Sequence, residues 1–199
     1  MLRDNPTFDR IRRKIFKYRS YTPIPILIVA VGFQEATATS LIVGFAIAVL
    51  GELIRMTGVA YAGSFTRTVN PDKCDVLIVN GHFGIVRNPL YVGNIIIYLG
   101  IGLMSNAFFP YFLIAAFFYF IIQYTLIVSM EEDHLLSKHG DKFQRYLNSV
   151  NRWLPKFKVY SDPEIEKATY NFKRGFKSEI RTIQALLAVA LIITILYWI

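Results

Sequence analysis

The chain has 199 residues, of which 54% are hydrophobic and 18% charged, and its mean hydropathy is +0.38. That is too apolar for an ordinary water-soluble domain and leaves room for several membrane helices. The single cysteine, Cys74, excludes an intramolecular disulfide framework and a cysteine zinc cluster, and membrane topology accounts for the net charge of +8 without nucleic acid.

Residues 1–20 carry seven basic side chains, Arg3 and Arg10 through Arg19 among them, against Asp4 and Asp9. No small-residue cleavage pattern follows, which sets the segment apart from a signal peptide. The positive-inside rule predicts a cytoplasmic N-terminus, and the same cluster can attract anionic lipid. The first apolar run, Pro23 to Phe33, is short and opens on Pro23 and Pro25. Either its helix begins earlier, near Phe16, or the run is tilted and incomplete. After the polar turn Gln34-Glu35-Ala36-Thr37, a second run from Leu41 to about Ala62 has the roughly 20 residues that a hydrocarbon core of ~30 Å requires. The two form an antiparallel hairpin. Glu52 and Arg55, three apart on one face of the second run, are either a functional intramembrane pair or a mutually neutralised couple snorkelling to the surface.

From Gly63 to Gly93 the chain turns polar, with a turn signal at Asn70-Pro71-Asp72. Val76 to Val79 has a strand pattern but no partner strand nearby, and is expected to pack against helix ends. Tyr91–Met104 and Phe108–Met130 then read as a tight helical hairpin broken at Ser105-Asn106-Ala107, with Gly93, Gly100 and Gly102 permitting close packing. Glu132, Leu135, Leu136, His139, Phe143, Tyr146 and Leu147 recur at helical spacing, which predicts that the second helix continues beyond the membrane and lays this face on the protein. Trp153 suits an interface anchor, and Ile183 to Ile199 is a last apolar span. The sum is an all-α, polytopic integral membrane protein with about five transmembrane helices. It divides into a basic N-terminus and first hairpin (1–62), a core (63–157), and a linker with the last helix (158–199).

The most informative stretch is Asn80 to Asn94. Asn88-Pro89 reads as a helix start, asparagine being a strong N-cap and proline fitting the first helical position. The N–H groups of such a start favour anions, Arg87 adds a planar fork suited to carboxylate or phosphate, and Gly81 and Gly84 allow backbone to approach a ligand. The same residues also describe an ordinary well-capped membrane helix. The hairpin, however, returns Glu131 and Glu132 to Arg87, and an anion site beside a cation site suits the two ends of an amino acid.

Arg87-Asn88-Pro89-Leu90-Tyr91-Val92-Gly93, followed by Glu131-Glu132-x-x-Leu135 and then by Gly140, Phe143, Tyr146 and Pro155, resembles the isoprenylcysteine carboxyl methyltransferase and phospholipid methyltransferase superfamily. The resemblance covers roughly residues 63–157. It implies a helical membrane enzyme with a cytoplasmic pocket for S-adenosylmethionine and a lipophilic substrate arriving from the bilayer. Cofactor-binding positions would be Ile85, Val86, Asn88, Pro89, Tyr91, Glu131, Glu132 and Leu135, with Arg87 and Glu132 nearest the chemistry. The chain departs from the family at His82, where proline is common, at Asn88, where histidine is common, and at His139, where phenylalanine is common. His82 can serve as a base or cap a loop, and His82, His134 and His139 are too scattered for a metal site. The expected partners are a lipophilic small molecule and membrane lipids, not nucleic acid. A nicotinamide-dependent membrane reductase of the sterol type and a non-enzymatic membrane scaffold are the alternatives.

Overall fold

The computed structural model describes residues 6–63 and 77–199; Cys74, the Asn70-Pro71-Asp72 turn and Val76 lie outside them. The described residues form α1 (Pro6–Tyr18), α2 (Ile24–Gly32), α3 (Ala38–Ala62), a 3-10 turn (Gly81–Gly84), α4 (Pro89–Ser105), α5 (Tyr111–His139), α6 (Asp141–Ser149) and α7 (Phe172–Trp198), with no strand among them. α3, α5 and α7 are long and apolar enough to cross a membrane, and α4 is a shorter apolar helix of 17 residues.

Polar ties at the helix ends fix the course of the chain. At the far end, the Glu35 N–H donates to Ser105 O at 2.8 Å, Asn106 Nδ2 to Glu35 O at 3.0 Å, and Gln34 Nε2 to Leu196 O at 3.2 Å. At the near end, Arg174 Nη2 donates to Ala60 O at 3.0 Å, and the Tyr91 hydroxyl donates to Glu131 Oε1 at 2.8 Å. α3, α4, α5 and α7 therefore each run from one end to the other.

α1 and α2 lie along α5. Arg12 Nη1 meets Asp133 Oδ2 at 2.6 Å, and about three to four turns further along α5, Gln123 Nε2 donates to Thr22 Oγ1 at 2.7 Å and the Tyr119 hydroxyl to Thr22 O at 3.0 Å. The N-terminal segment thus runs antiparallel to α5. Nine residues of α2 rise only about 14 Å, short of a ~30 Å core, so of the two readings of this run the structure has the short, incomplete one; α1, which carries Arg10, Arg12, Arg13, Lys14 and Lys17, is a separate and charged helix. The break between them follows from Pro23 and Pro25, which fit a first helical turn but cannot extend a preceding helix.

α3 begins with a capping box, in which Thr37 Oγ1 accepts from the Ser40 N–H and Ser40 Oγ accepts from the Thr37 N–H. It then packs on α4 at backbone distance. A Cβ at Gly100 would lie 2.5 Å from Ala48 N, and one at Gly51 would lie 2.7 Å from Gly93 O. The close glycine packing expected between α4 and α5 is therefore made chiefly between α3 and α4. α4 and α5 instead meet through larger side chains, with Tyr98 stacked on Phe120 at 4.5 Å and Tyr91 tilted against Tyr124 at 4.8 Å.

α7 starts well before Ile183 because Asn171 caps it, its Oδ1 accepting from the Arg174 N–H at 2.9 Å. This extension carries Glu179, buried to 1% exposure, onto Arg55 Nη2 at 2.9 Å. Arg55 also donates to Asn94 Oδ1 and lies 3.9 Å from Glu52. Glu52 and Arg55 are accordingly no snorkelling couple, but part of a buried tie joining α3, α4 and α7. At the other end of the core, α5 does not run on as one helix: Gly140 adopts φ 50° and ψ −126°, and α6 leaves in a new direction. The expected apolar face still forms, with Phe143 and Tyr146 buried against Leu77, Val79 and Ile165 and flanked by Leu135, Leu136 and Leu147.

Since the α3–α4 seam leaves no space for a side chain, Gly100→Val is expected to destabilise the protein by about 1–3 kcal/mol or more. The same change at Gly32, where nothing lies within 4 Å of the added Cβ, serves as the control, and melting temperatures in detergent compare the two.

Candidate active site at the near end of the helices

The site is organised by three consecutive carboxylates where α5 reaches the near end. One turn of helix spreads Glu131, Glu132 and Asp133 over different directions, and each holds a different element. Glu131 accepts from the Tyr91 hydroxyl of α4 at 2.8 Å. Glu132, 7% exposed, accepts from Arg152 through both oxygens and lies 3.4 Å from Arg87 Nη2. Asp133 holds Arg12 of α1.

The turn Asn80–Asn88 is fixed above α5 by backbone partners. Asn80 exchanges two hydrogen bonds with Ala168, at 2.9 and 3.0 Å. Gly81 has φ 61°, and a Cβ there would fall 2.4 Å from the Tyr61 ring, so no other residue fits. The Arg87 N–H donates to Asn151 O, the Lys156 N–H to Ile85 O and the Tyr160 N–H to Gly84 O, each at 2.9 Å. Residues 151–160 thereby form a strap over the turn. From below, the Tyr146 hydroxyl donates to Phe83 O at 2.7 Å.

The sequence-predicted residues gather here, though with some changed contacts. Arg87 and Glu132 do meet, but Arg87 also spends a donor on Leu147 O at 2.9 Å, and its Nε is buried without a hydrogen-bond partner. Burial lowers its pKa from the ordinary value, opposed by the nearby charge of Glu132. Pro89 opens α4 as expected, whereas the side chain of Asn88 makes no cap: its Nδ2 turns to Arg152 O at 3.2 Å. The strap offers an acceptor closer than the helix start does, so the residue chosen for capping acts as a bridge. Ile85 is bound through its backbone, Val86 and Pro89 are buried, and Leu135 faces the Phe143–Tyr146 cluster.

Arg152 is the residue that sequence reasoning missed. It sits in the Asn151-Arg152-Trp153-Leu154-Pro155 stop, where an arginine reads as one more basic surface residue. His82 lies on the 3-10 turn at 6.4 Å from the Tyr61 ring, with Nδ1 buried and without a hydrogen-bond partner. Burial lowers its pKa from 6.5 and favours the neutral imidazole. A separate cleft of about 500 Å³ is lined by Tyr61, Leu77, His139, Lys142, Ile165 and Arg174, and contains none of Arg87, Glu131 and Glu132.

Arg152→Ala strips Glu132 of a two-oxygen partner and is expected to cost about 1–3 kcal/mol, read as a lower melting temperature in detergent. His82, with its pKa depressed in the fold, binds fewer protons folded than unfolded. Stability is therefore intact above the ordinary value of 6.5 and declines as pH falls below it. In His82→Asn, thermal melts on the acid side become flatter than in the unmodified protein.

The arrangement presents two guanidinium groups on one carboxylate, a second carboxylate on a tyrosine, and a half-buried imidazole, all at one end of a bundle of apolar helices. It can orient an anion and a cation side by side. The model of the phospholipid methyltransferase family matches residues 39–142, slightly more than half of the chain, and spans α3 through the first residues of α6. No curated protein and no solved structure matches the chain. The matched stretch contains Arg87, Tyr91, Glu131 and Glu132 together with the helices that carry them, and the chain belongs to the phospholipid methyltransferase family.

Proposed function

We propose that this protein transfers a methyl group from S-adenosylmethionine to a lipophilic acceptor embedded in the membrane, with the near end of the helices at the cytoplasmic face. The observation that carries the reading is the charge of the Arg87–Arg152–Glu132 cluster. Two guanidinium groups share one carboxylate, and Arg87 Nε is buried without a partner. One positive charge in excess suits a further carboxylate such as that of an amino acid. Glu131, on the adjacent position of α5, suits an ammonium group. The donor set therefore fits S-adenosylmethionine, held by Ile85, Val86, Asn88, Pro89, Tyr91, Glu131, Glu132 and Leu135. When bound, this cofactor supplies an electrophilic methyl group on a sulfonium centre.

The task left to the protein is to position the acceptor and exclude water. Val86, Pro89 and the Tyr91–Tyr124 pair give the site a dry floor. If the acceptor is a carboxylate, no base is needed, and Arg87 orients it while Arg152 and the start of α4 are left for the carboxylate of the cofactor. If it is an amine, a proton must leave, and Glu132 and His82, whose burial favours the neutral imidazole, are the candidate bases. The basic N-terminal segment supports the cytoplasmic assignment.

Arg87→Ala and Glu132→Ala are expected to lower methyl transfer about 100-fold or more while the purified proteins remain helical by circular dichroism. Unchanged turnover in both would overturn the assignment. Calorimetry on the detergent-solubilised protein is expected to detect S-adenosylmethionine and its demethylated product. A thermal shift with NADPH and none with S-adenosylmethionine would instead place the chemistry with the membrane reductases.

A further inference from the structure

Beside the site, the near end carries a surface that methyl transfer does not use. Trp153-Leu154-Pro155-Lys156-Phe157-Lys158-Val159 crosses this end as the outer part of the strap. Its backbone is tied inward, through the Lys156 and Tyr160 N–H groups to Ile85 O and Gly84 O. Two of its apolar side chains are left outside: Leu154 is 72% exposed and Phe157 fully exposed, while Val159 keeps its Cγ1 against Gly84. A backbone held from beneath cannot fold these side chains into the core, so they need an apolar surrounding from outside the chain.

The surroundings indicate what that is. Trp153, at the head of the strap, packs against the cluster of Phe16, Tyr124, Ile127 and Met130, which places the strap at the level where α5 leaves the apolar bundle. The exposed Lys158 follows Phe157 directly, while Lys156 turns back, its Nζ donating to Ser149 O at 2.7 Å. On the neighbouring side, α1 turns Arg10, Arg13, Lys14 and Lys17 outward together with Ile11, 48% exposed. Strap and α1 are bound to adjacent residues of α5, Arg152 to Glu132 and Arg12 to Asp133. Both elements thus present bulky apolar groups interleaved with cations at one rim.

We propose that the strap and the outer face of α1 form one docking surface for the interfacial layer of an anionic bilayer. Leu154 and Phe157 lie at the boundary of headgroups and acyl chains, and Lys158 and the outward lysines and arginines of α1 lie on lipid phosphates. Apolar insertion alone would not discriminate lipid charge, whereas clustered Lys and Arg beside a membrane span do. The surface is independent of the proposed methyl transfer.

The test uses the full chain in nanodiscs, with Cys74→Ser and Phe157→Cys giving one labelling position for an environment-sensitive NBD fluorophore. In phosphatidylcholine mixed with phosphatidylglycerol, NBD emission is expected to shift to the blue. Its quenching by acrylamide should fall several-fold relative to phosphatidylcholine alone. A label introduced through Glu166→Cys, on an exposed loop, should respond to neither lipid. Lys14→Glu combined with Lys158→Glu should return the signal at 157 to its phosphatidylcholine value, with folding verified by circular dichroism and gel filtration. Should that variant fail to fold, a salt titration of the labelled protein serves instead, because screening should abolish the lipid dependence. Equal shielding in both lipids, quenching at 157 as strong as at 166, or a lipid dependence insensitive to salt would each overturn the proposal.

Discussion

The near end of this molecule depends on three consecutive carboxylates of α5. Glu131 holds α4 through Tyr91, Glu132 holds the turn and the strap through Arg87 and Arg152, and Asp133 holds α1 through Arg12. These partners come from three separated parts of the chain, at residues 12, 87–91 and 152, so the triplet converts a local run of charge into long-range order. Breaking a buried pair leaves an uncompensated charge, a larger penalty than forming the pair yields in stability. The triplet therefore specifies which elements meet more than it adds to the total stability.

A second constraint acts within the apolar bundle. α3 and α4 approach at backbone distance through Gly44, Gly51, Gly93 and Gly100, and the space so closed fixes Arg55 against Asn94 of α4 and Glu179 of α7. In a lipid environment dispersion and hydrogen bonding hold helices together, since lipid tails are as apolar as the side chains. The glycine seam provides the first and the Arg55 cluster the second. α4, the shortest apolar pass, is thereby clamped on one face by α3 and on another by the aromatic pairs with α5, and this rigid helix carries Tyr91 to the site.

Much of this was legible in the sequence because membrane passes are written in composition. The apolar runs marked the hairpins, Pro89 marked the start of α4, and the spacing of Arg87 from Glu131 across a hairpin brought the two to one end. What could not be read was partner choice. Gly93 and Gly100 signal close approach but carry no record of the helix approached, so α5 was expected where α3 packs. Arg12 and Arg152 lie more than a hundred and twenty residues away from, respectively twenty residues beyond, the carboxylates they meet, and the distance of a salt bridge in space leaves no trace in spacing. Two local signals were available: Asn171, the cap that starts α7 early, and Gly140, which divides α5 from α6. Asn88 shows the converse, a strong capping residue drawn to a carbonyl of the strap by tertiary context.

The pairing of three adjacent carboxylates with three separate elements makes α5 a register-dependent part. Each residue inserted or removed before Glu131 would turn the triplet by about 100° around the helix axis, sending every carboxylate toward its neighbour's partner or into lipid at once. Only changes near a whole number of turns preserve the directions, and those displace the triplet along the axis by about 5 Å per turn, away from α1, α4 and the strap together. The length of α5 between its far-end start and Glu131 is thus set by the site, and the thickness of membrane it crosses has to conform to it.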